Sequence, residues 1–574
     1  MTGSVARATF AGALLLAASA AAQVGPPIRL APPGAQLPLP PAAMPAPSPA
    51  DPAPASAARR AAEPPTAEPG ETVFGPTLWE GSAPSVSVAL LQRLPNAIAS
   101  PTLHDLARRL LSAPAAAPAG PGDQAAFLAL RLEKLFTLGE SAAVAALLAG
   151  LPPQDPAALE ARMAMLWLAG KSKEACALTA EQLSRTPTSA WQQSQVACAA
   201  LAHDRDGVDF GMQVLAEQQF DDPTFAALID MAGGAKSTAL PKQPSFGPVS
   251  LGLAREMKGG LPPDLLRSTD GSVLRAIAES RDTQPILRLS AAERAASVGA
   301  LGAADLVRLY REMETSPAER ANPLAAARAD DGPRGRALLY LAIQAESSPG
   351  QRAELLRTAL EAAVKSGTFT LAARLYQPEL TKLVAAPELV RMAMPVGQAL
   401  YLLGEDARAK DWYQRARESA GPDGGVGAAR LWALGRLAEG DEFAPLDGSA
   451  LMGWYEMQQR REPAAAAGRL ALLYALIEGL GDAVPGPAWE PLVTGKPKLA
   501  ASAADPLLAA ELRSAAESGR VGETVLLVLD SVGARLPGPE ATLAAYDCLV
   551  ALRFAGLDRE ARGLAIEIAV AAGL

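Results

Sequence analysis

A turn residue, a small residue five positions later and a proline seventeen positions later recur at one register in the first half of this chain. In "TLGESAAVAALLAGLPPQDP" these are Gly139, Val144 and Pro156. In "LAGKSKEACALTAEQLSRTP" they are Gly170, Ala175 and Pro187. In "HDRDGVDFGMQVLAEQQFDDP" Asp206 takes the turn, Gly211 the small position and Pro223 the end. The physical content is specific. A turn between two helices wants a residue free of Cβ strain, the crossing of the two helices wants no bulk, and proline cannot continue a helix. The prolines lie 31 and then 36 residues apart.

The signature returns towards the C-terminus as Gly367 with Ala372, Gly404 with Ala409, and Gly556 with Ala561. This pattern resembles the tetratricopeptide repeat, a helix–turn–helix unit of about 34 residues. The resemblance covers about half the chain. The aromatic and leucine positions of that family's first helix are poorly kept, so the units are degenerate. It implies an all-α fold, an α-solenoid of helix–turn–helix repeats in one or two superhelical pieces, whose binding residues are scattered along a groove. Composition agrees with helices. The chain is 49% hydrophobic but only 5% aromatic, so its core is built from Ala, Leu and Val, and Ala and Leu are among the best helix formers.

The N-terminus reads differently. One cation, Arg7, precedes an apolar run from Ala8 to Ala18, followed by Ala20-Ala21-Ala22. The run is too short to span a bilayer and has the order of a signal peptide cleaved between Ala22 and Gln23. The expectation is an exported, periplasmic bacterial chain with no membrane span after cleavage. Residues 23–71 are so rich in Pro and Ala that they read as a disordered linker. The expected organisation is a signal peptide over 1–22, the linker over 23–71, N-terminal helical repeats over 72–235, an irregular connecting region over 236–289, and C-terminal helical repeats over 290–574. Within the first repeats, Phe74, Leu78 and Trp79 are expected to dock. Ser100 and Pro101 open a helix with Leu103, Leu106, Leu110 and Leu111 on one face.

The search for chemistry returns little. The net charge of −9 argues against nucleic acid. Two histidines and three cysteines leave few soft metal ligands, so neither a metal nor a cofactor is expected. "GLGDAV" (Gly479 to Val484) lacks the third glycine and the preceding strand of a dinucleotide loop. "TGKPK" (Thr494 to Lys498) lacks the first glycine and the Ser/Thr of a phosphate loop. Asp330 and Asp331 share a proline-containing loop with Arg334 and read as solvated. His104 reads as a surface or partly packed side chain with no acid partner visible. Arg408, Lys410, Arg415 and Arg417, beside Trp412 and Tyr413, read as a solvated helix face with core aromatics. Cys176 and Cys198 lie eleven residues on either side of Pro187. They are either a disulfide across two antiparallel helices or two buried thiols, and Cys548 is free and buried. The function these features imply is a non-enzymatic protein-interaction scaffold that takes a protein or peptide of the cell envelope in a superhelical groove. The alternative is an enzyme acting on envelope glycan or peptidoglycan, which needs a glutamate acid in a cleft.

Overall fold

The computed structural model describes residues 74–120, 124–152, 154–234, 240–242, 244–256, 263–281, 283–418, 422–494 and 505–574. The expected signal peptide, its Ala22–Gln23 junction and the linker lie outside the described residues, as do residues 495–498 of the "TGKPK" stretch. Among the described residues there are 29 α-helices and four 3-10 turns, and no strand. The helices pack in series, and several also pack on helices distant in sequence, as Pro84–Arg93 does on Val521–Val532 and Pro463–Gly479 on Thr542–Phe554.

Seven pairs of sequence-adjacent helices share one joint. They are Gln124–Leu138 with Ser141–Ala149, Pro156–Leu168 with Ser172–Leu183, Ser189–Leu201 with Arg205–Glu217, Pro349–Ser366 with Phe369–Leu375, Ala393–Leu402 with Asp406–Glu418, Pro506–Glu517 with Val521–Val532, and Thr542–Phe554 with Asp558–Ala572. In each, a residue of positive φ ends the first helix and the second helix starts two residues later. The N–H of the intervening residue returns to a carbonyl five residues back, at 2.8–3.0 Å: Glu140 to Leu135, Lys171 to Leu166, Asp204 to Ala199, Thr368 to Ala363, Glu405 to Leu400, Arg520 to Ala515 and Leu557 to Leu552. This closure satisfies carbonyls that the helix end leaves open, and it requires the left-handed residue. The turn residues are Gly139, Gly170, His203, Gly367, Gly404, Gly519 and Gly556.

Two of these differ from the sequence expectation. In the third hairpin the turn falls on His203 (φ 58°) and not on Asp206, which lies inside the following helix. Histidine is among the few side chains that enter the left-handed region at moderate cost. Gly211 keeps a packing role, because a Cβ there would meet Val196 Cγ2 at 2.5 Å. The turn at Gly519 carries Thr524 five residues on, where the pattern sought alanine or valine. The small residues Val144, Ala175, Ala372, Ala409 and Ala561 are all buried at their crossings.

Residues 236–289 hold more order than an irregular connection. The helices Pro248–Glu256 and Gly271–Glu279 pack on the N-terminal hairpins. Gly252 lies so close to Trp167 that a Cβ would meet Trp167 at 2.8 Å, and Gly271 backs onto the carbonyl of Leu138. The described residues from 74 onward form one compact unit.

Within that unit the first helices pack on the last. Gly522 donates its N–H to the Leu78 carbonyl at 3.0 Å, and a Cβ on Gly522 would strike Trp79. The helix Pro101–Ser112 is capped twice. Ser100 accepts the Leu103 N–H, as expected for its cap. The carboxylate of Glu567, 465 residues further on, accepts the Thr102 N–H at 3.0 Å and its hydroxyl at 2.6 Å, and also the Ser100 hydroxyl. Arg109 bonds Glu560 at 2.7 Å and Arg93 bonds Asp530 at 2.5 Å. Phe74, Leu78, Trp79, Leu103, Leu106, Leu110 and Leu111 are buried in this contact and its surroundings.

Candidate functional site

The most developed cleft runs along one side of the helix Pro349–Ser366. Its walls come from Pro323–Ala329, Pro333–Ala345 and the 3-10 turn Pro387–Met392 that leads into Ala393–Leu402. Sequence places these walls directly. Pro323, Pro333 and Pro349 each open a helix at the position where a missing N–H costs nothing. Asn322 caps the first by accepting the Ala325 N–H at 3.2 Å. Between the first two helices the chain doubles back so tightly that a Cβ on Gly335 would lie 1.6 Å from the Asp330 carbonyl. Only glycine permits that approach, and it sets Asp330 and Asp331 at the rim.

The cleft has two chambers, about 400 Å³ and about 290 Å³, that share Arg357 and Glu361 as a common wall. Arg328, Asp330, Asp331 and Lys365 line the larger, and Arg391 and Met394 the smaller. Arg357 is engaged on its own helix: its Nε bonds Glu354 at 3.0 Å and its Nη1 bonds Glu361. Arg328, Lys365 and Arg391 make no hydrogen bond or contact ion pair among the described residues.

Beneath the cleft lies a buried polar cluster. Glu293 accepts the Tyr310 hydroxyl at 2.6 Å and two nitrogens of Arg336 at 3.0 and 2.5 Å. Burial, and then the charge of Glu293, push the Tyr310 hydroxyl well above its ordinary pKa, so it stays a donor. Tyr340 and Tyr376 continue the cluster, with ring centroids 5.7 and 5.9 Å apart along the series Tyr310–Tyr340–Tyr376. Arg336 also donates its Nη1 to the Asp331 carbonyl at 2.7 Å, so it ties this floor to the rim of the cleft.

The residues singled out by sequence lie mostly elsewhere. The Arg408 cluster is an intramolecular network. Arg408 pairs with Glu405 at 3.4 Å, Lys410 with Glu439 at 3.5 Å, and Arg415 with Glu418 at 2.7 Å, while Arg417 stacks over Tyr413. Trp412 is buried beneath them. His104 is buried and does have an acid partner: its Nε2 lies 2.8 Å from Glu140, and Gly299 presses on the ring face. Cys176 and Cys198 are joined by a disulfide across the hairpin, with Cα atoms 5.8 Å apart. Cys548 is free and buried, and burial, with Asp547 beside it, pushes its thiol up to about 12. "GLGDAV" forms a loop after the helix Pro463–Gly479, with Gly481 left-handed. Asp330 and Asp331 belong to the cleft rim. No signal in the sequence marks the unpaired cations Arg328, Lys365 and Arg391, because they come from three separate segments and form no motif.

Among the described residues no group of three or more His, Cys, Asp or Glu side chains is placed to hold a metal ion, and no helix is long and apolar enough to cross a membrane. The fold and cleft define an all-helical protein of serially packed, repeat-like hairpins. No protein-family model matches the chain, and no curated protein matches it.

Proposed function

We propose that this chain is an exported, non-enzymatic interaction protein, a solenoid of degenerate tetratricopeptide-like hairpins that holds a peptide or protein segment of the cell envelope in the cleft along Pro349–Ser366. The observation that carries this reading is the cleft itself. It is long, two-chambered and floored by a polar cluster, and its walls mix unpaired cations with Leu324, Leu339 and Val390. Such a surface suits an extended chain better than one reacting bond. The glutamates whose carboxyls burial pushes up, Glu567 and Glu523, lie outside the cleft in contacts between helices. The glycan-acting alternative would need such an acid within the cleft. Export rests on residues 1–22 and is supported by the Cys176–Cys198 bond, since disulfides persist in oxidising compartments.

Two measurements test it. A photo-crosslinking residue at Val364, exposed beside Lys365, should give protein adducts in intact cells, and the same residue at the equally exposed Phe210 should not. Adducts at 210 with none at 364 would remove the cleft from consideration. N-terminal sequencing of the native protein should begin at or near Gln23; an intact Met1 in the cytoplasm would end the export proposal.

A further inference from the structure

We infer that the cleft recognises a ligand carrying at least two closely spaced carboxylates, one set against Arg391 and one against Arg328 and Lys365, with Arg357 between them. This rests on the cleft being the binding surface. The inference comes from sorting its charges by what each already touches. Arg336 is answered by Glu293, and Arg357 is shared by Glu354 and Glu361. Three cations make no hydrogen bond or contact ion pair among the described residues: Arg328 and Lys365 on the larger chamber and Arg391 on the smaller. Both Arg328 and Arg391 act electrostatically on Glu354, so the two reach toward one stretch of the Pro349–Ser366 helix. Two unpaired guanidinium groups flanking a third that is already bound to carboxylates describe a site for further carboxylates, because the planar fork matches that geometry.

Of the acids in the cleft, Glu361 on the common wall is held by Arg357. Asp330 and Asp331 sit at the rim beside Arg336, and one Asp330 oxygen is taken by the Gly332 N–H at 2.8 Å. They oppose a carboxylate in the larger chamber, so removing their charge should strengthen binding there. Leu324, Leu339 and Val390 leave room for an apolar stem between the charges. A flat anionic membrane fits a recessed cleft poorly, and so does a nucleic acid, which a chain of net charge −9 repels as a whole. The shared chemistry is an oligocarboxylate, whether an acidic peptide segment or a small free acid.

The test is fluorescence anisotropy with fluorescein-labelled hexaglutamate and the full chain. Hexaglutamate should bind at low salt and weaken severalfold at about 0.5 M NaCl, while labelled hexalysine should not bind. The double variant R328Q/R391Q should bind about tenfold more weakly, and D330N/D331N should bind severalfold more tightly. R460Q, which removes an exposed arginine on the helix Gly448–Arg461, should bind as the parent does. Citrate that competes as well as unlabelled peptide would identify a small free acid as the natural source; competition by peptide alone would identify an acidic segment. Absence of hexaglutamate binding, equal weakening by R460Q, or binding only to anionic vesicles would overturn the inference. If crosslinks still form at position 364 in that case, the interaction reading stands and only the ligand chemistry falls.

Discussion

The shared hairpin joint predicts that two turn positions respond to substitution with opposite signs. Gly404 has φ 69°, and a Cβ there would meet nothing within 4 Å. The cost of Gly404→Ala is therefore conformational, not steric. An L-residue in the left-handed region costs about 1–2 kcal/mol. Alanine also restricts the unfolded chain, which returns about 0.4–1 kcal/mol. The difference leaves a local destabilisation of about 1 kcal/mol. His203 already carries the left-handed cost at φ 58°, so His203→Gly should stabilise its hairpin, by about 0.5 kcal/mol, since glycine also loosens the unfolded chain. Gly453 supplies the contrast. It lies inside the helix Gly448–Arg461, also with nothing within 4 Å of a Cβ. Gly453→Ala should stabilise by about 1 kcal/mol through helix propensity alone. Hydrogen exchange resolved by mass spectrometry reads these changes as local opening free energies in the peptides spanning 393–418, 189–217 and 448–461. If Gly404→Ala and Gly453→Ala shift protection in the same direction, the joint does not depend on the left-handed residue and the account of the hairpins is wrong.

Three further outcomes follow from particular contacts. Unfolded without reductant, the native protein should show one alkylatable thiol, Cys548, and loss of the Cys176–Cys198 bond should cost about 3 kcal/mol in the chain-entropy account; three reactive thiols would refute the bond. The Ser316 N–H, with Arg334 and the Ser316 hydroxyl, holds Glu319 at a pKa of about 2. Because that value is depressed, its contribution is present above the ordinary carboxylate range and is lost as pH falls toward 2, so Glu319→Gln should lower stability at pH 7 and flatten the acid limb of a thermal-stability profile, its difference from the parent closing as pH falls toward 2. Glu567 goes the other way: burial outweighs its bonds from Ser100 and Thr102 and raises its pKa. Its titration therefore favours folding below the ordinary range and loses that gain as pH rises. The stability of Glu567→Gln relative to the parent should therefore rise from acid to neutral pH, and a relative stability that falls over that range would refute the assignment.

The parts of this fold that sequence discloses are the local ones. Gly139, Gly170, Gly367, Gly404 and Gly556 could be read because each joint is closed within six residues by a backbone conformation that favours glycine. His203 escaped because histidine can occupy that conformation without announcing it, and a nearby Asp206–Gly211 pair imitated the spacing. Gly519 escaped because Thr524 fills its crossing. The closure through Glu567 and Thr102 joins residues 465 positions apart, which no periodicity records. His104 lacked a visible partner for the same reason: Glu140 reaches it from a different hairpin. The cleft shows the limit most plainly, since its free cations are defined by what they fail to touch.

The packing of the first helices on the last has a consequence for how such a chain can change over evolutionary time. A helical array with two free ends grows or shrinks by gaining or losing a unit, because each unit meets only its neighbours. Here an added or deleted hairpin would carry Glu560 and Glu567 away from Arg109 and Thr102, so the number of units is fixed by the bond that joins start to finish. Variation is then channelled into loops and exposed faces, and two descendants of this chain should differ in surface and cleft chemistry long before they differ in hairpin count.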